Sequence, residues 1–292
     1  MQIVTDSGTD IGLSQKEMED ANIHVVPLVV TLDGKSYREG LDIQPDEFYN
    51  LLDASENMPV TSQPSAGDFA DVYRRLAAVD PDILSVHMTS GLSGTYQSAI
   101  AGSKMVPEAN VTHIDTKTLS AAAGWQVKAA AQALKAGWTA EKIVDLLKHI
   151  GDASESMYTL KELKYLINGG RISHMKGLVA SLLNIKPMIG VEKANGTYIQ
   201  LGQARTFKKA VQGLVDRIKS FHPAGTSLYV QVLHAFNPDG GVALRELVDK
   251  TFDCTWLPMR PMSLVLGAHT GRSMVGVAFA KSDVMARVPS LQ

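Results

Sequence analysis

The chain has 292 residues, enough for two domains, with 45% hydrophobic and 20% charged residues, the balance of an ordinary globular protein. A formal net charge of −2 excludes the strong basic excess of a general nucleic-acid binder, and no apolar run reaches the roughly 18 residues of a spanning helix. The single cysteine, Cys254, excludes an internal disulfide and reads as a structural thiol at a strand start. Met1-Gln2-Ile3-Val4-Thr5-Asp6 has neither a basic leader nor a long apolar segment, so a cytoplasmic protein with at most transient membrane-surface contact is expected.

The first half alternates strand and helix. Ile3 and Val4 open a short strand that runs into the polar turn Thr5-Asp6-Ser7. Residues 23–32 are β-branched and apolar and read as one buried strand, closed by the tight turn Asp33-Gly34. Pro45 takes the first position of a short helix, with Asp46 and Glu47 in its first turn. Thr61-Ser62-Gln63-Pro64-Ser65 is a polar loop whose last hydroxyl caps the next helix, where Phe69, Val72, Tyr73 and Leu76 recur on one face. A strand over 83–88, the Gly/Ser loop 89–95, a helix to about Met105 and a strand over 111–114 follow. An Ala-rich helix over 119–135 and a second over 139–150 complete this half. Such alternation predicts a doubly wound, mainly parallel sheet, whose ligands bind beyond the carboxyl ends of the strands. Thr5-Asp6-Ser7, the 90–95 loop and Asp115-Thr116 all fall at those ends.

The second half predicts an α+β domain, with the boundary near 151–157. A strand over 157–160 leads to a helix ending at Gly169-Gly170. Residues 188–204 read as a hairpin turning at Asn195-Gly196. A helix with Phe207, Ala210, Val211, Leu214 and Ile218 on one face comes next, then a strand over 228–233 and a helix over 241–251. Apolar strands over 264–267 and 274–280 close the chain.

Thr89-Ser90-Gly91-Leu92-Ser93-Gly94-Thr95 is the segment richest in chemistry. Its glycines allow close backbone approach, and the helix after it offers unpaired N–H groups and a positive dipole end. Three readings stand at this point: an anion site, a helix cap with a turn, and a nucleophilic Ser93. The loop lacks the Gly-Lys-Ser/Thr ending of a P-loop, and Thr95 replaces the last glycine of a nucleophile elbow. Thr61 and Ser62 supply hydroxyls without a base, and by spacing alone they belong to a capping loop. His269-Thr270-Gly271 interrupts two apolar segments, and Arg171 in Gly169-Gly170-Arg171-Ile172-Ser173 is suited to bond a carbonyl. His24, His87 and His113 lie in or beside strands and read as core or edge residues. No Cys/His cluster has metal-ligand spacing.

In order, Val4-Thr5-Asp6-Ser7, Thr61-Ser62-Gln63-Pro64-Ser65, Ser90-Gly91-Leu92-Ser93-Gly94-Thr95, Asp115-Thr116, Gly169-Gly170-Arg171-Ile172-Ser173 and Gly267-Ala268-His269-Thr270-Gly271 resemble the DegV family, whose members include fatty-acid-binding subunits of bacterial fatty acid kinase. The resemblance implies an N-terminal α/β domain over 1–155, an α+β domain over 156–292, and one long-chain fatty acid between them. It implies that Thr61 and Ser93 hold the carboxylate, with Ser62, Gly94, Thr95 and Thr270 contributing donors and His269 close by. Arg171 and Arg205 correspond to basic residues that work with the kinase partner. That partner supplies ATP and magnesium and converts the carboxylate to an acyl phosphate, so the carrier itself needs no cofactor, no metal and no catalytic residue. Arg272-Ser273 departs from the Pro-Gly usual after the His-Thr-Gly segment, so a different backbone path and an added positive charge are expected there. The alternative is an acyl hydrolase or transferase with Ser93 as nucleophile and His269 as base, which requires the two within hydrogen-bond reach.

Overall fold

A computed structural model describes residues 1–175 and 185–289. Strands β1 (Gln2–Asp6), β2 (Ile23–Val26), β6 (Asp82–His87) and β7 (Asn110–Asp115) form a four-stranded sheet in the order β2-β1-β6-β7. All three pairings are parallel, as the strand–helix alternation predicts. Helices α3 (Ala66–Ala77), α4 (Thr95–Ser103), α5 (Ser120–Lys135) and α6 (Ala140–Ala153) supply the crossovers and the cover. Ser65 caps α3 in a reciprocal box with Asp68, as its position suggests.

Residues 23–32 are not one strand. Pro27 lacks the N–H that would continue the parallel ladder. The chain leaves the first sheet there and enters a separate antiparallel one, in which β3 (Val29–Leu32) lies between β4 (Lys35–Arg38) and β5 (Val60–Ser62). Thr61 and Ser62 therefore stand on an edge strand and not in a capping loop. The short helices α1 (Gln15–Asp20) and α2 (Pro45–Ala54) flank this region.

The second sheet is mixed. It runs β10 (Tyr198–Ala204), β9 (Lys186–Val191), β8 (Glu155–Thr159), β14 (Val275–Lys281), β11 (Ser227–His234), β12 (Asp253–Trp256), with β13 (Arg260–Pro261) beside β11. Helix α7 (Lys164–Asn168) ends at Gly169, while α8 (Phe207–Phe221) and α9 (Pro238–Asp249) cover one sheet face through Leu214, Ile218, Leu244 and Val248. A final short helix, α11 (Ser282–Met285), follows β14.

The expected strand over 264–267 is instead helix α10 (Leu264–Thr270). Every residue of α10 is buried, so its sequence carries no polar face from which a 3.6-residue period could be read. One apolar cluster runs through both halves, including Ile3, Leu84 and Trp125 from the first and Leu160, Ile189 and Leu233 from the second. The seam between the sheets is thus a shared core, and α10 crosses it to pack on β3 and β5.

Candidate functional site

The predicted hydroxyls meet at the carboxyl end of the parallel sheet. From the edge of the small antiparallel sheet, Thr61 Oγ1 lies 2.7 Å from His269 Nε2 on α10, a contact spanning 208 residues of sequence. Burial, with a smaller push from the Arg171 charge, lowers the His269 pKa to about 4, so the imidazole is neutral at pH 7. Opposite this pair, Ser93 Oγ shares a hydrogen bond of 2.8 Å with Thr95 Oγ1. Gly94 at the cap of α4 supplies no side-chain oxygen, which leaves N–H groups of the first turn for another acceptor. Thr61, Ser62, Gln63, Ser93, Arg171 and His269 together line a cavity of about 20 Å³, room for a water or a carboxylate oxygen.

Arg171 forms the wall of that cavity. Its Nη1 donates to the Gly169 carbonyl at 2.6 Å and its Nε to the Leu92 carbonyl at 3.3 Å. An open polar pocket of about 350 Å³ lies on the other side, lined by Arg171 and Leu92 with Gly91, Ser173 and His174. Arg171 and Leu92 thus stand between the interior and solvent. On the inner side, Tyr198 also lines a second, apolar cavity of about 40 Å³ with Met157, Met262, Met274 and Thr270.

The loop is held by contacts that need glycine. A Cβ on Gly91 would lie 2.3 Å from the Asn195 carbonyl oxygen, because the β9–β10 turn presses against it. Thr89 Oγ1 donates to the Gly196 carbonyl at 3.0 Å and accepts from Gly91 N at 3.1 Å. Asp115, at the end of β7, accepts from Ser90 N and Ser90 Oγ. Likewise a Cβ on Gly169 would meet His269 Nδ1 at 2.0 Å, so the glycine at the end of α7 sets where the imidazole can sit.

Beneath the clamp lies a second polar constellation. Asp6 accepts from Gly8 N, Met88 N and His87 Nδ1 at 2.9–3.0 Å, which fixes the end of β6. Glu39 accepts from Ser7 Oγ and Ser263 Oγ at 2.7 Å and from Leu264 N. Asp10 accepts from Ser120 Oγ and, at 2.7 Å, from Ser263 N. These acids anchor the start of α10, the helix that carries His269. Burial raises Glu39 and pushes Asp10 up to about 8, against the lowering effect of its hydrogen bond from Ser120.

Not every expected residue reaches the clamp. Ser62 lines the small cavity but is largely exposed. Thr270 turns away, donating to the Leu266 carbonyl at 3.2 Å and lining the apolar cavity. Arg205 is exposed beyond β10, seven residues from Tyr198, on the order of 20 Å along the strand direction. Arg272 is paired with Asp53 and stacked 4.9 Å over Phe236, while Ser273 Oγ accepts from Lys161 N at 2.9 Å. The substituted Arg-Ser is therefore tied into its surroundings.

Ser93 and His269 are each engaged by a threonine, and among the described residues no hydrogen bond joins them. An acid–His–Ser chain does exist, Asp6–His87–Ser85, with His87 Nε2 2.6 Å from Ser85 Oγ. It continues to Tyr73 at 2.7 Å and all three members of the chain are fully buried, so it braces α3 against the sheet. Cys254 is half-buried, and burial raises its thiol to about 11, far from a reactive thiolate. Among the described residues no group of three or more His, Cys, Asp or Glu is arranged around a metal position, and no helix is long and apolar enough to cross a membrane.

Sequence reasoning missed Gln63, Tyr198, the Asn195-Gly196 turn as a wall, and the anchors Asp10, Glu39 and Ser263. Gln63 lies inside a quoted motif. The others make contacts across 100 residues or more and leave no local pattern.

The family model described as "Uncharacterised protein, DegV family" matches residues 1–282. A DegV domain-containing protein of Staphylococcus aureus is 35% identical over 279 residues, covering 96% of this chain and 98% of that protein. Among solved structures, a DegV lipid-binding protein from Thermotoga maritima superposes with TM-score 0.84 at 30% identity, covering 96% of this chain and 98% of that one. A structure of a DegV family protein from Thermus thermophilus, described by its fatty acid binding, superposes with TM-score 0.85 at 30% identity over 96% of this chain and 99% of that one.

Proposed function

The chain belongs to the DegV family, and from that premise we propose that it binds one long-chain fatty acid and presents the carboxylate to a kinase subunit. The observation that carries the reading is the Thr61–His269 pair facing Ser93 and Arg171 across one small, largely enclosed cavity. A carboxylate taken out of water is costly unless its oxygens find donors. Here the donors are the Thr61 and Ser93 hydroxyls, the neutral imidazole and the free N–H groups of α4. The fatty-acid-binding relative from Thermus thermophilus, with its matching fold, supports the same ligand class.

The acyl chain continues past Tyr198 into the apolar cavity, at about 0.8 kcal/mol per buried methylene, offset by the cost of immobilising the chain. Seating it widens that cavity. Met157, Met262 and Met274 are the unbranched, adaptable side chains that yield. Residues 1–155 supply the carboxylate loops in this reading, and 156–292 close the acyl tunnel.

Phosphoryl transfer is assigned to the partner, which holds ATP and magnesium. The polar pocket outside Leu92 is the approach to the carboxylate, with Arg171 as the positive group at its inner wall. Arg205 is exposed and remote from the clamp, a placement suited to touching a partner protein rather than the lipid. The protein works in the cytoplasm, where such a kinase finds its nucleotide.

Solvent extraction of gently purified protein, followed by mass spectrometry, should yield one long-chain fatty acid per chain. No bound lipid, together with no uptake of labelled palmitate or oleate, would refute the binding claim. Arg205→Ala should leave lipid retention unchanged and slow acyl-phosphate formation about tenfold when a kinase subunit is added. Equal loss of both activities would remove Arg205 from the partner surface.

A further inference from the structure

A groove of about 630 Å³ lies between α1, α5 and the edge of the second sheet. It shares no lining residue with the two cavities of the clamp and acyl path. Its volume falls within the range of small-molecule sites. The floor is aromatic and aliphatic. Trp125 on α5 and Tyr229 on β11 meet edge to face at 4.9 Å, flanked by Leu13 and Leu257. The indole N–H is already satisfied by Gln231 Oε1 at 2.9 Å, which leaves the ring as apolar surface.

One cation is set into this floor. Lys128 lies one turn after Trp125 on the same face of α5, mostly buried, and among the described residues its ammonium has no hydrogen-bond or ion-pair partner. Burial lowers its pKa, the nearby Arg260 lowers it further, and only Glu17 opposes them. The Glu17 carboxylate is committed elsewhere, since it accepts from Ser14 N at 2.7 Å and Ser14 Oγ at 2.6 Å to cap α1. Asp20 and Lys135 complete the charged lining. A desolvated ammonium on an apolar floor is unfavourable on its own and is relieved by an anion.

We propose that this groove is a second ligand site for a small anionic amphiphile, with the acidic group on Lys128 and the apolar body on Trp125, Tyr229 and Leu257. It stands apart from the fatty-acid reading, because a ligand can sit here while the clamp is filled.

The test is a titration of the full-length chain, palmitate-saturated and palmitate-stripped, with 8-anilinonaphthalene-1-sulfonate and with uncharged N-phenyl-1-naphthylamine. Bound palmitate is measured separately by extraction. The palmitate-saturated protein should bind one equivalent of the sulfonate. Lys128→Met should weaken the sulfonate at least tenfold and the uncharged probe less than threefold, while Lys128→Arg keeps sulfonate affinity within about threefold. Sulfonate binding confined to the stripped protein, or a Lys128→Met loss equal for both probes, overturns the proposal. Palmitate retention unchanged in both Lys128 variants keeps this outcome separate from any failure of the fatty-acid reading.

Discussion

Two polar constellations sit within a few residues of each other at the carboxyl ends of β1 and β6, and they differ in saturation. In the lower one, Asp6 and Glu39 each accept three hydrogen bonds, and both nitrogens of His87 are paired. In the upper one, Thr61 and His269 share a single bond, Ser93 is paired with Thr95, and Arg171 uses only its Nε and Nη1 groups. A hydroxyl offers one donor and two acceptor positions, and a guanidinium five donors. The lower cluster has spent its capacity on the fold, while the upper one retains capacity for a ligand. Residue type does not separate a structural cluster from a binding site here, because both contain an imidazole and serines; unspent hydrogen-bonding capacity does.

The sharpest way to break this comparison is to cut each cluster and compare stability. Glu39→Ala leaves Ser7, Ser263 and the first N–H of α10 without their acceptor in a buried place. It should cost about 3 kcal/mol or more in urea denaturation. Thr61→Ala combined with Ser93→Ala should cost on the order of 1 kcal/mol, since little else depends on those hydroxyls. Equal losses would erase the distinction.

The pH dependence of stability sharpens it next. Asp10 stands at about 8 in the folded protein against 3.8 ordinarily. Between those values the folded state holds a proton that the unfolded state has released. Its contribution is therefore complete below about pH 4 and is lost as pH rises through 8. Asp10→Asn should flatten the decline in stability between pH 5 and 9 by a few kcal/mol, an order of magnitude set by about 1.4 kcal/mol per pKa unit. Glu39, also raised by burial, leaves a residual slope of the same sign. An unchanged slope in the variant would mean that Asp10 titrates as an ordinary carboxylate.

The smallest effect comes from a position in contact with the clamp rather than a member of it. Gly169→Ala places a methyl group where the His269 ring now lies. It should weaken palmitate about threefold to tenfold through displacement of the imidazole, with a Tm within a few degrees of the parent. Parent-like affinity would show that His269 moves freely.

The parallel strands, the Ser65 cap and the Asn195-Gly196 hairpin were legible in sequence because each depends on residues close to one another along the chain. Helix α10 was not, since burial on every side removes the amphipathic period. Nor was the break at Pro27, whose missing donor matters only once a partner strand is present. Thr61, Ser93, Arg171 and His269 were named through the DegV motifs, yet their arrangement depends on the 208-residue contact between β5 and α10. The same limit hid Asp10 and Glu39, whose α10 partners lie more than 200 residues away.

The most direct measurement of the central claim is a titration with palmitate carrying a ¹³C-labelled carboxyl carbon, followed by NMR, on the parent chain and on Thr61→Ala combined with Ser93→Ala. The parent should show one bound carboxyl signal shifted from that of free palmitate, and the double variant should keep its fold while losing affinity at least tenfold. An identical bound signal and affinity in the double variant would contradict the assignment of Thr61 and Ser93 as the groups that hold the carboxylate.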